Sequence, residues 1–350
     1  MTADSLSIHT AAEEDAALWD AFVEASPAAT FFHHFGWRRA IERAYGYEAC
    51  YLTARRGGRI VGVLPLIEVA SPLFGRNLIS TAFTVGGGIA ADDAEAREAL
   101  AEAALEEGRR RGVGYVELRS QTASLEGWRV KKQVYAGFEK AFPADESAAL
   151  GAIPRRRRAE VRKALDALAA GVLTCDFGAG WNAFYALYAR AMRDHGTPVF
   201  PRAFLGELMK EFRERADILV ISAKGEPLLG LLSFYFRDRV MPYYIGGRAD
   251  ARDRRAFDLA LWLQLRRGAA RGARLLDLGR SKYGTGSFAY KTHWGLEPKP
   301  LDYQYGLVRA REIPNVNPDN PKFAAAIAAW RRLPLPVANL AGPILARHIA

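Results

Sequence analysis

One glycine-rich stretch, residues 277–295, gathers most of the side chains in this chain that could do chemistry. It follows a predicted strand and leads into a short predicted helix. The backbone N–H groups of such a loop can bind an anion, and basic side chains beside them add charge. We therefore predict phosphate or carboxylate binding by Arg280, Ser281, Lys282, Gly284, Thr285 and Gly286, with the glycines supplying backbone freedom and close approach.

Acid–base groups lie elsewhere in the second half of the chain. His195 follows a predicted helix in a Gly-Thr-Pro turn, where an imidazole could act as a general base oriented by Asp194. Tyr243 and Tyr244 end a predicted strand, and we predict Tyr244 as a catalytic phenol that protonates a leaving group. Helix capping for His195 and burial in the sheet for the tyrosines are the structural alternatives.

A run of arginines opens a predicted helix and includes Arg155, Arg158 and Arg162. Positive charge at a helix N-terminus interacts unfavourably with the helix dipole, so the presence of these arginines requires another explanation. An anionic ligand supplies one, and a tRNA arm, a phosphate-linked sugar and an acidic polymer all qualify. A solvated linker helix is the alternative.

Composition restricts the class of protein. The chain has 350 residues, 50% hydrophobic and 25% charged, which predicts a folded protein of two ordinary domains. Two cysteines cannot build a disulfide framework or a multi-thiolate zinc site, and we expect no metal. Residues 1–150 carry 16 Lys+Arg and 21 Asp+Glu, whereas residues 151–350 carry 33 and 18. The basic second half predicts an anionic partner.

The chain contains a weak internal repeat at a shift of about 160 residues. Its correspondences are Trp19 with Trp181, Gly62 with Gly230, Gly87 with Gly247, and 112–118 with 272–278. Glu117 and Asp277 thus occupy matching strand ends, where a carboxylate could accept a proton or pair with an arginine. The repeat predicts two copies of one domain.

Each copy shows the same order of predicted elements. Apolar spacing predicts helices at 13–25, 36–45, 181–193 and 202–214, and long helices at 92–111 and 252–271. Apolar runs predict strands at 48–55, 59–69, 115–119, 217–223, 228–236, 239–246 and 274–278. This order resembles the GCN5-related N-acetyltransferase (GNAT) fold. We predict an α/β (α+β) protein of two tandem GNAT-like domains, each a mixed, mostly antiparallel sheet flanked by helices, at 1–150 and 151–312, with a helical tail at 313–350.

Several motifs resemble the FemAB family, in particular FemAB-related proteins associated with exopolysaccharide and PEP-CTERM protein-sorting loci. They are Tyr290-Lys291 before Trp-Gly, the arginine run at 155–163, the turn at 193–198 and the segment 317–322. The resemblance implies an N-acyltransferase that moves an acyl or aminoacyl group from an activated carrier to an amino group of a cell-envelope, exopolysaccharide or peptidoglycan-type precursor. It also implies that Tyr290 and Lys291 are catalytic, with the Lys291 ammonium stabilising the tetrahedral oxyanion.

The resemblance leaves the donor open among acyl-CoA, acyl carrier protein and aminoacyl-tRNA, with no permanently bound cofactor and no DNA partner. It implies that the second copy is catalytic and that the first copy forms one wall of the acceptor cleft. No signal segment or membrane span is readable, so we expect a cytoplasmic protein, with residues 333–349 as a candidate peripheral contact at the inner membrane face. The alternative is a non-catalytic basic module that binds an anionic glycan or nucleic acid in an exopolysaccharide assembly complex.

Overall fold

A computed structural model of the protein describes residues 5–72, 74–119, 124–178, 180–313 and 321–348. Residues 317–320 of the family-like motif and residue 349 of the tail lie outside these ranges. The strands are β1 (Ser7–Thr10), β2 (Ala49–Arg56), β3 (Arg59–Ser71), β4 (Gly75–Ser80), β5 (Ala90–Ala91), β6 (Tyr115–Leu118), β7 (Arg129–Ala141), β8 (Leu173–Phe177), β9 (Ala216–Ala223), β10 (Glu226–Phe236), β11 (Arg239–Gly247), β12 (Leu275–Lys282) and β13 (Glu297–Leu307). The helices are α1 (Ala16–Ala25), α2 (Phe35–Tyr45), α3 (Ala94–Arg111), α4 (Glu146–Gly151), α5 (Arg155–Ala169), α6 (Trp181–His195), α7 (Arg202–Glu211), α8 (Ala256–Ala270), α9 (Gly286–His293), α10 (Pro321–Arg331) and α11 (Leu335–Ala346).

Local sequence signals set the helix ends. The Asp93 side chain accepts a hydrogen bond from the backbone N–H of Ala96 (2.8 Å) and caps α3, which ends at Gly112 in the left-handed conformation. The long helix predicted from residue 252 begins instead at Ala256. Arg255 adopts a left-handed conformation (φ 59°), and a 3-10 turn precedes it, so the helix cannot start earlier.

The strands form one mixed, mostly antiparallel sheet. Its order is β1-β2-β3-β4-β6-β13-β7-β12-β11-β10-β9-β8, with β5 pairing on β3. The five strands at each end come from one copy of the repeat, in mirrored order. The predicted fold class is thereby confirmed: helices flank a large, mostly antiparallel sheet built from two similar units.

The last strand of each copy pairs with the other copy. β7 lies antiparallel to β12, and β13 lies antiparallel to β6, while β7 and β13 pair with each other. This exchange crosses the boundary predicted near residue 150. The two halves are therefore joined by backbone hydrogen bonds at the centre of the sheet.

Each copy contains one pair of parallel strands that separate after two residue pairs. β4 and β6 pair only at Leu78↔Val116 and Ile79↔Glu117. β11 and β12 pair only at Arg239↔Leu275 and Val240↔Leu276. We call the region beyond the last pair the first fork (β4/β6) and the second fork (β11/β12).

The two copies also share a hydrophobic core. The Phe31 ring of the first copy lies 4.6 Å from that of Phe212 and 4.9 Å from that of Phe234. On the surface above this core, Arg43 of α2 pairs with Glu211 of α7 at 2.6 Å. Burial of the aromatic side chains on both sides fixes the position of one copy on the other.

The tail packs on both copies. Gly196, at the end of α6, lies against Ile327 of α10, and Gly342 of α11 lies against Val199. Arg347 donates a hydrogen bond to the backbone carbonyl of Tyr45 (3.0 Å). Among the helices described here, none is long and apolar enough to cross a membrane.

Candidate active site

The second fork brings a carboxyl group to the point where the strands separate. Asp277 is the first residue of β12 beyond the last parallel pair, Val240↔Leu276. It lies opposite Glu139 of β7, and its Oδ1 accepts a hydrogen bond from the Gly279 backbone N–H (2.7 Å). Burial raises the pKa of Asp277 to about 6; the negative charge of Glu139 adds to this, and the Gly279 hydrogen bond opposes it. The carboxyl can therefore take up and release a proton near neutral pH.

Lys291 holds the backbone of the same fork. Its Nζ donates hydrogen bonds to the carbonyl oxygens of Leu278 (2.6 Å) and Arg280 (2.9 Å), on either side of an irregularity in β12. It also lies 5.2 Å from the centre of the Phe138 ring. Burial lowers the pKa of Lys291 to about 8, although Asp277 nearby favours the charged form. Two of the three ammonium protons are used on the backbone, so one remains for a ligand.

Arg280 projects from this irregularity toward residues of both copies. Its guanidinium donates to the Tyr303 hydroxyl and stacks on the Tyr135 ring at 4.4 Å. Arg119 of the first copy approaches the Tyr303 ring as well, at 5.9 Å. Among the residues that the structure describes, no carboxylate pairs with Arg280. A half-buried guanidinium without a counter-ion favours an anionic ligand, as predicted for this residue.

The structure favours Tyr243 over Tyr244 as the phenol at the fork. Tyr244 is 5% exposed and is enclosed by aromatic rings, including those of Tyr188 and Phe200. Its hydroxyl is buried and has no hydrogen-bond partner among the described residues. Tyr243 is half-buried, and its ring lies against Gly279 in the fork. Of the two phenols, Tyr243 is therefore the one that lies at the fork, and a catalytic role for Tyr244 stays a prediction.

Tyr290 lies in a hydrogen-bond network with Asp258 and not at the fork, and its catalytic role stays a prediction. Its hydroxyl donates to Oδ1 of the buried Asp258 (3.1 Å), which also accepts from Trp294 Nε1 (2.9 Å). Arg157 Nη1 pairs with the same carboxylate at 3.3 Å. The network ties α5 and α8 to α9 and so sets the position of Lys291. No sequence motif singled out Asp258, and Arg157 was noted only as part of the arginine run, with no structural role predicted for it.

Two hydroxyls of the predicted anion-binding loop organise the start of α9. Thr285 caps the helix, because its Oγ1 donates to the Lys282 carbonyl (2.8 Å) and accepts from the Phe288 backbone N–H (3.3 Å). Ser281 Oγ lies 2.5 Å from Ser287 Oγ, and Ser281 is buried. Both residues therefore shape the loop, which leaves less of their hydrogen-bonding capacity for a ligand.

The loop glycines leave space beside the turn. Gly284 has φ 76°, which an L-residue adopts only under strain, and Gly286 begins α9. A Cβ added at either glycine meets no atom within 4 Å. Anion binding here, with Lys282 contributing, stays a prediction.

The other predicted residues lie apart from the fork. His195 is at the exposed end of α6, where its carbonyl accepts from Arg331 (3.3 Å), and Asp194 pairs with Arg193 at 2.6 Å. No contact within the described chain joins His195 to Asp277 or Lys291.

The basic run lies along α5. Arg155 and Arg162 are exposed, and Arg158 donates to the Gly151 carbonyl (3.2 Å). Arg157 points inward to Asp258. Binding of an anion by Arg155, Arg158 and Arg162 therefore stays a prediction.

The first fork is closed by side chains of its own copy. The Arg119 backbone N–H donates to Ser80 Oγ (2.8 Å), its Nη1 to the Thr84 carbonyl (2.8 Å), and its Nε to Glu117 (2.7 Å). Glu117 and Arg119 are both buried. The difference between the two forks is visible in the sequence of the repeat. Glu-Leu-Arg at 117–119 corresponds to Asp-Leu-Gly-Arg at 277–280, which contains one additional glycine.

Comparison with known proteins agrees with this geometry. Residues 155–292 match the family model described as the acetyltransferase (GNAT) domain, and this range holds the entire second fork. The protein is a tandem of GNAT-like units. FemX has the same fold at a TM-score of 0.66 and 14% identity, covering 87% of this chain and 98% of that one.

Two further structures share the GNAT-like tandem fold. A tandem GNAT protein from the clavulanic acid biosynthesis pathway aligns at a TM-score of 0.55 and 14% identity, covering 88% of this chain and 100% of that one. L-PGS from Bacillus licheniformis aligns at a TM-score of 0.53 and 13% identity, covering 92% of this chain and 97% of that one. No curated protein sequence matches. At these identities the similarity establishes the fold.

The two titrating groups of the GNAT-like fork predict a bell-shaped pH dependence of kcat. The acid limb should lie near pH 6, since Asp277 must be ionised to accept a proton. The alkaline limb should lie near pH 8, since loss of the Lys291 proton weakens its hold on the two carbonyls. Steady-state rates from pH 5 to about 9.5 test this. The Lys291→Met variant should lose the alkaline limb; an unchanged limb in a variant with the same melting temperature would contradict the assignment.

Proposed function

We propose that the protein is a GNAT-like N-acyltransferase whose reaction takes place in the second fork. The observation that carries this proposal is the position of Asp277. A carboxyl group with a pKa of about 6 lies where the parallel strands part, within electrostatic range of Lys291 and beside Arg280. The GNAT family match over 155–292 supports the same assignment. The closed first fork supports a single active site, with the first copy as a wall.

The proposed reaction is direct attack by an amine on an acyl donor. Asp277 accepts a proton from the acceptor ammonium, and the neutral amine nitrogen forms a bond to the donor carbonyl carbon. The remaining Lys291 proton and the Arg280 charge stabilise the oxyanion of the tetrahedral intermediate. The intermediate collapses as the bond from carbon to the leaving sulfur or oxygen breaks. The Tyr243 hydroxyl gives its proton to the leaving group, the resulting phenolate takes the second proton from the former ammonium nitrogen, and Asp277 releases its proton to solvent. No covalent enzyme intermediate is required.

We propose an acyl-CoA donor with its phosphates near the N-terminus of α8. Helix N-termini favour anions, and Arg252 lies exposed just before this helix. Arg248, Arg254 and Arg255 nearby are already paired with Asp or Glu, whereas Arg252 has no such partner among the described residues. An amino group on a cell-envelope or exopolysaccharide precursor is the acceptor that the FemAB resemblance implies.

Calorimetry with acetyl-CoA and longer acyl-CoA thioesters tests the proposal. We expect saturable binding that weakens about tenfold in Arg252→Ala, since a charge-assisted hydrogen bond contributes roughly 1.5–3 kcal/mol. Arg59→Ala, which removes an exposed arginine from the first copy, is the matched control and should bind normally. Release of free thiol on addition of amino sugars or peptides measures turnover. Absence of both binding and thiol release would exclude acyl-CoA and direct the search to aminoacyl-tRNA or carrier-protein donors.

A further inference from the structure

Helix α11 exposes large apolar side chains to solvent. Val337 is 47% exposed, Leu340 76%, Ile344 60% and Leu345 44%. They are four of the seven large hydrophobic side chains that are exposed in the described part of the chain. Positions 337, 340 and 344 are spaced three and four residues apart, so these side chains lie along one face of the helix.

The orientation of α11 is fixed by its other face. Ala338, Gly342 and Ala346 are buried, and a Cβ on Gly342 would lie 2.9 Å from Val199 Cγ1. Arg347, just past the helix, donates to the Tyr45 carbonyl (3.0 Å). A soluble amphipathic helix buries its large residues and exposes its polar ones. Here small residues face the protein and large residues face outward, and the helix cannot rotate without losing the close contact at Gly342.

The charged side chains of the tail itself have one sign. Residues 321–350 contain four Lys or Arg and no Asp or Glu. Arg331 and Arg332, directly before α11, are both exposed. A symmetric contact between two copies would bury this face with basic residues at its ends and no carboxylate side chain of the tail to pair with them, which is unfavourable. A surface with negatively charged groups outside and an apolar layer beneath them would fit both the exposed apolar side chains and the basic residues of the tail.

We propose that α11 docks the protein on an anionic lipid bilayer. The helix lies in the interface, with Val337, Leu340 and Ile344 inserted below the headgroups and Arg331 and Arg332 against the lipid phosphates. Twelve residues are too short to span the bilayer, so the contact is peripheral. This proposal is independent of the acyl-transfer proposal, because it depends on residues outside the second fork.

Co-sedimentation of the full chain with vesicles tests the docking. One set contains phosphatidylcholine alone, and the other contains phosphatidylcholine mixed with phosphatidylglycerol. We expect binding to the anionic set, lowered at least about tenfold in the double variant Leu340→Ser, Ile344→Ser. Arg332→Glu should lower binding about fivefold or more, since each basic residue near the surface contributes on the order of 1 kcal/mol. Leu18→Ser, at a site 57% exposed on α1, is the matched control and should bind normally.

Three results would overturn the proposal. They are no binding of the unmodified protein to anionic vesicles, equal binding to neutral vesicles, and unchanged binding of the double serine variant. A dimer in light scattering that the double variant abolishes, without lipid binding, would instead assign the face to a second copy. Thiol release with soluble acceptors should not change in the double variant, so failure of docking is distinguishable from failure of the acyl-transfer proposal. If the double variant melts early, Arg332→Glu alone decides the test.

Discussion

Replacing Asp277 by asparagine is expected to lower kcat for acyl transfer by roughly 10²–10⁴-fold, the usual contribution of a general base. The amide keeps the shape of the side chain and can still accept the Gly279 hydrogen bond, but it cannot take the proton of the attacking ammonium. Thiol release measured at saturating donor and acceptor reports this loss. The affinity for acyl-CoA should be unchanged, because the proposed phosphate site near α8 does not include Asp277.

The opposite carboxylate provides a sharper control. Glu139→Gln removes the negative charge that lies across from Asp277 and contributes to its raised pKa. In this variant the acid limb of the kcat profile should move to lower pH while the maximal rate stays within a few-fold. A variant Asp277→Asn that retains a rate near the unmodified value would exclude Asp277 as the base, and the acceptor would then have to arrive as the neutral amine.

Removal of the Asp258 carboxylate should have the largest effect on stability. Asp258→Ala leaves the Trp294 N–H, the Tyr290 hydroxyl and the Arg157 guanidinium without their shared acceptor in a buried region. Loss of one partner from a buried charge network costs about 3–5 kcal/mol. Urea unfolding at neutral pH measures the change in the free energy of unfolding.

A surface carboxylate gives the comparison for this variant. Asp194 is exposed, and among the described residues it forms an ion pair with its neighbour Arg193 alone, so Asp194→Ala should change the free energy of unfolding by less than about 0.5 kcal/mol. A loss below about 1 kcal/mol in Asp258→Ala would show that the three donors find other partners or water. The network would then not hold α9 in place.

Most helices and the longest apolar strands of both copies could be predicted from sequence, since their hydrophobic periodicity is strong. β1, β4, β5, β7, β8 and β13 were not predicted. β7 carries five Lys, Arg or Glu side chains among thirteen residues and is mostly half-exposed, so its pattern is close to that of a loop. Its place is determined by pairing with strands more than 130 residues away, which no local pattern encodes.

The candidate site was predicted only in part, for a related reason. Charge and glycine content identified Arg280, and the FemAB resemblance identified Lys291; both lie at the second fork. Neither signal could distinguish Tyr290 from Lys291, or Tyr243 from Tyr244. Adjacent side chains point in different directions, and a short helix or an irregular strand has too little hydrophobic periodicity to show which of the two faces the site. Asp277 was noted as a strand end, but its position at the fork depends on where β11 and β12 stop pairing.

The exchanged strands also set an order of events during synthesis. When β6 and β7 leave the ribosome, their neighbours β13 and β12 have not been made, and the first half of the chain is left with open edges. At about 5–20 residues per second, β12 follows β7 by roughly 7–30 seconds. Throughout that interval the nascent chain offers unpaired backbone groups to other strands, which is a known route to aggregation. The first copy thus completes its sheet only after translation has passed the second fork, and cells making this protein quickly would depend on chaperones that cover those edges.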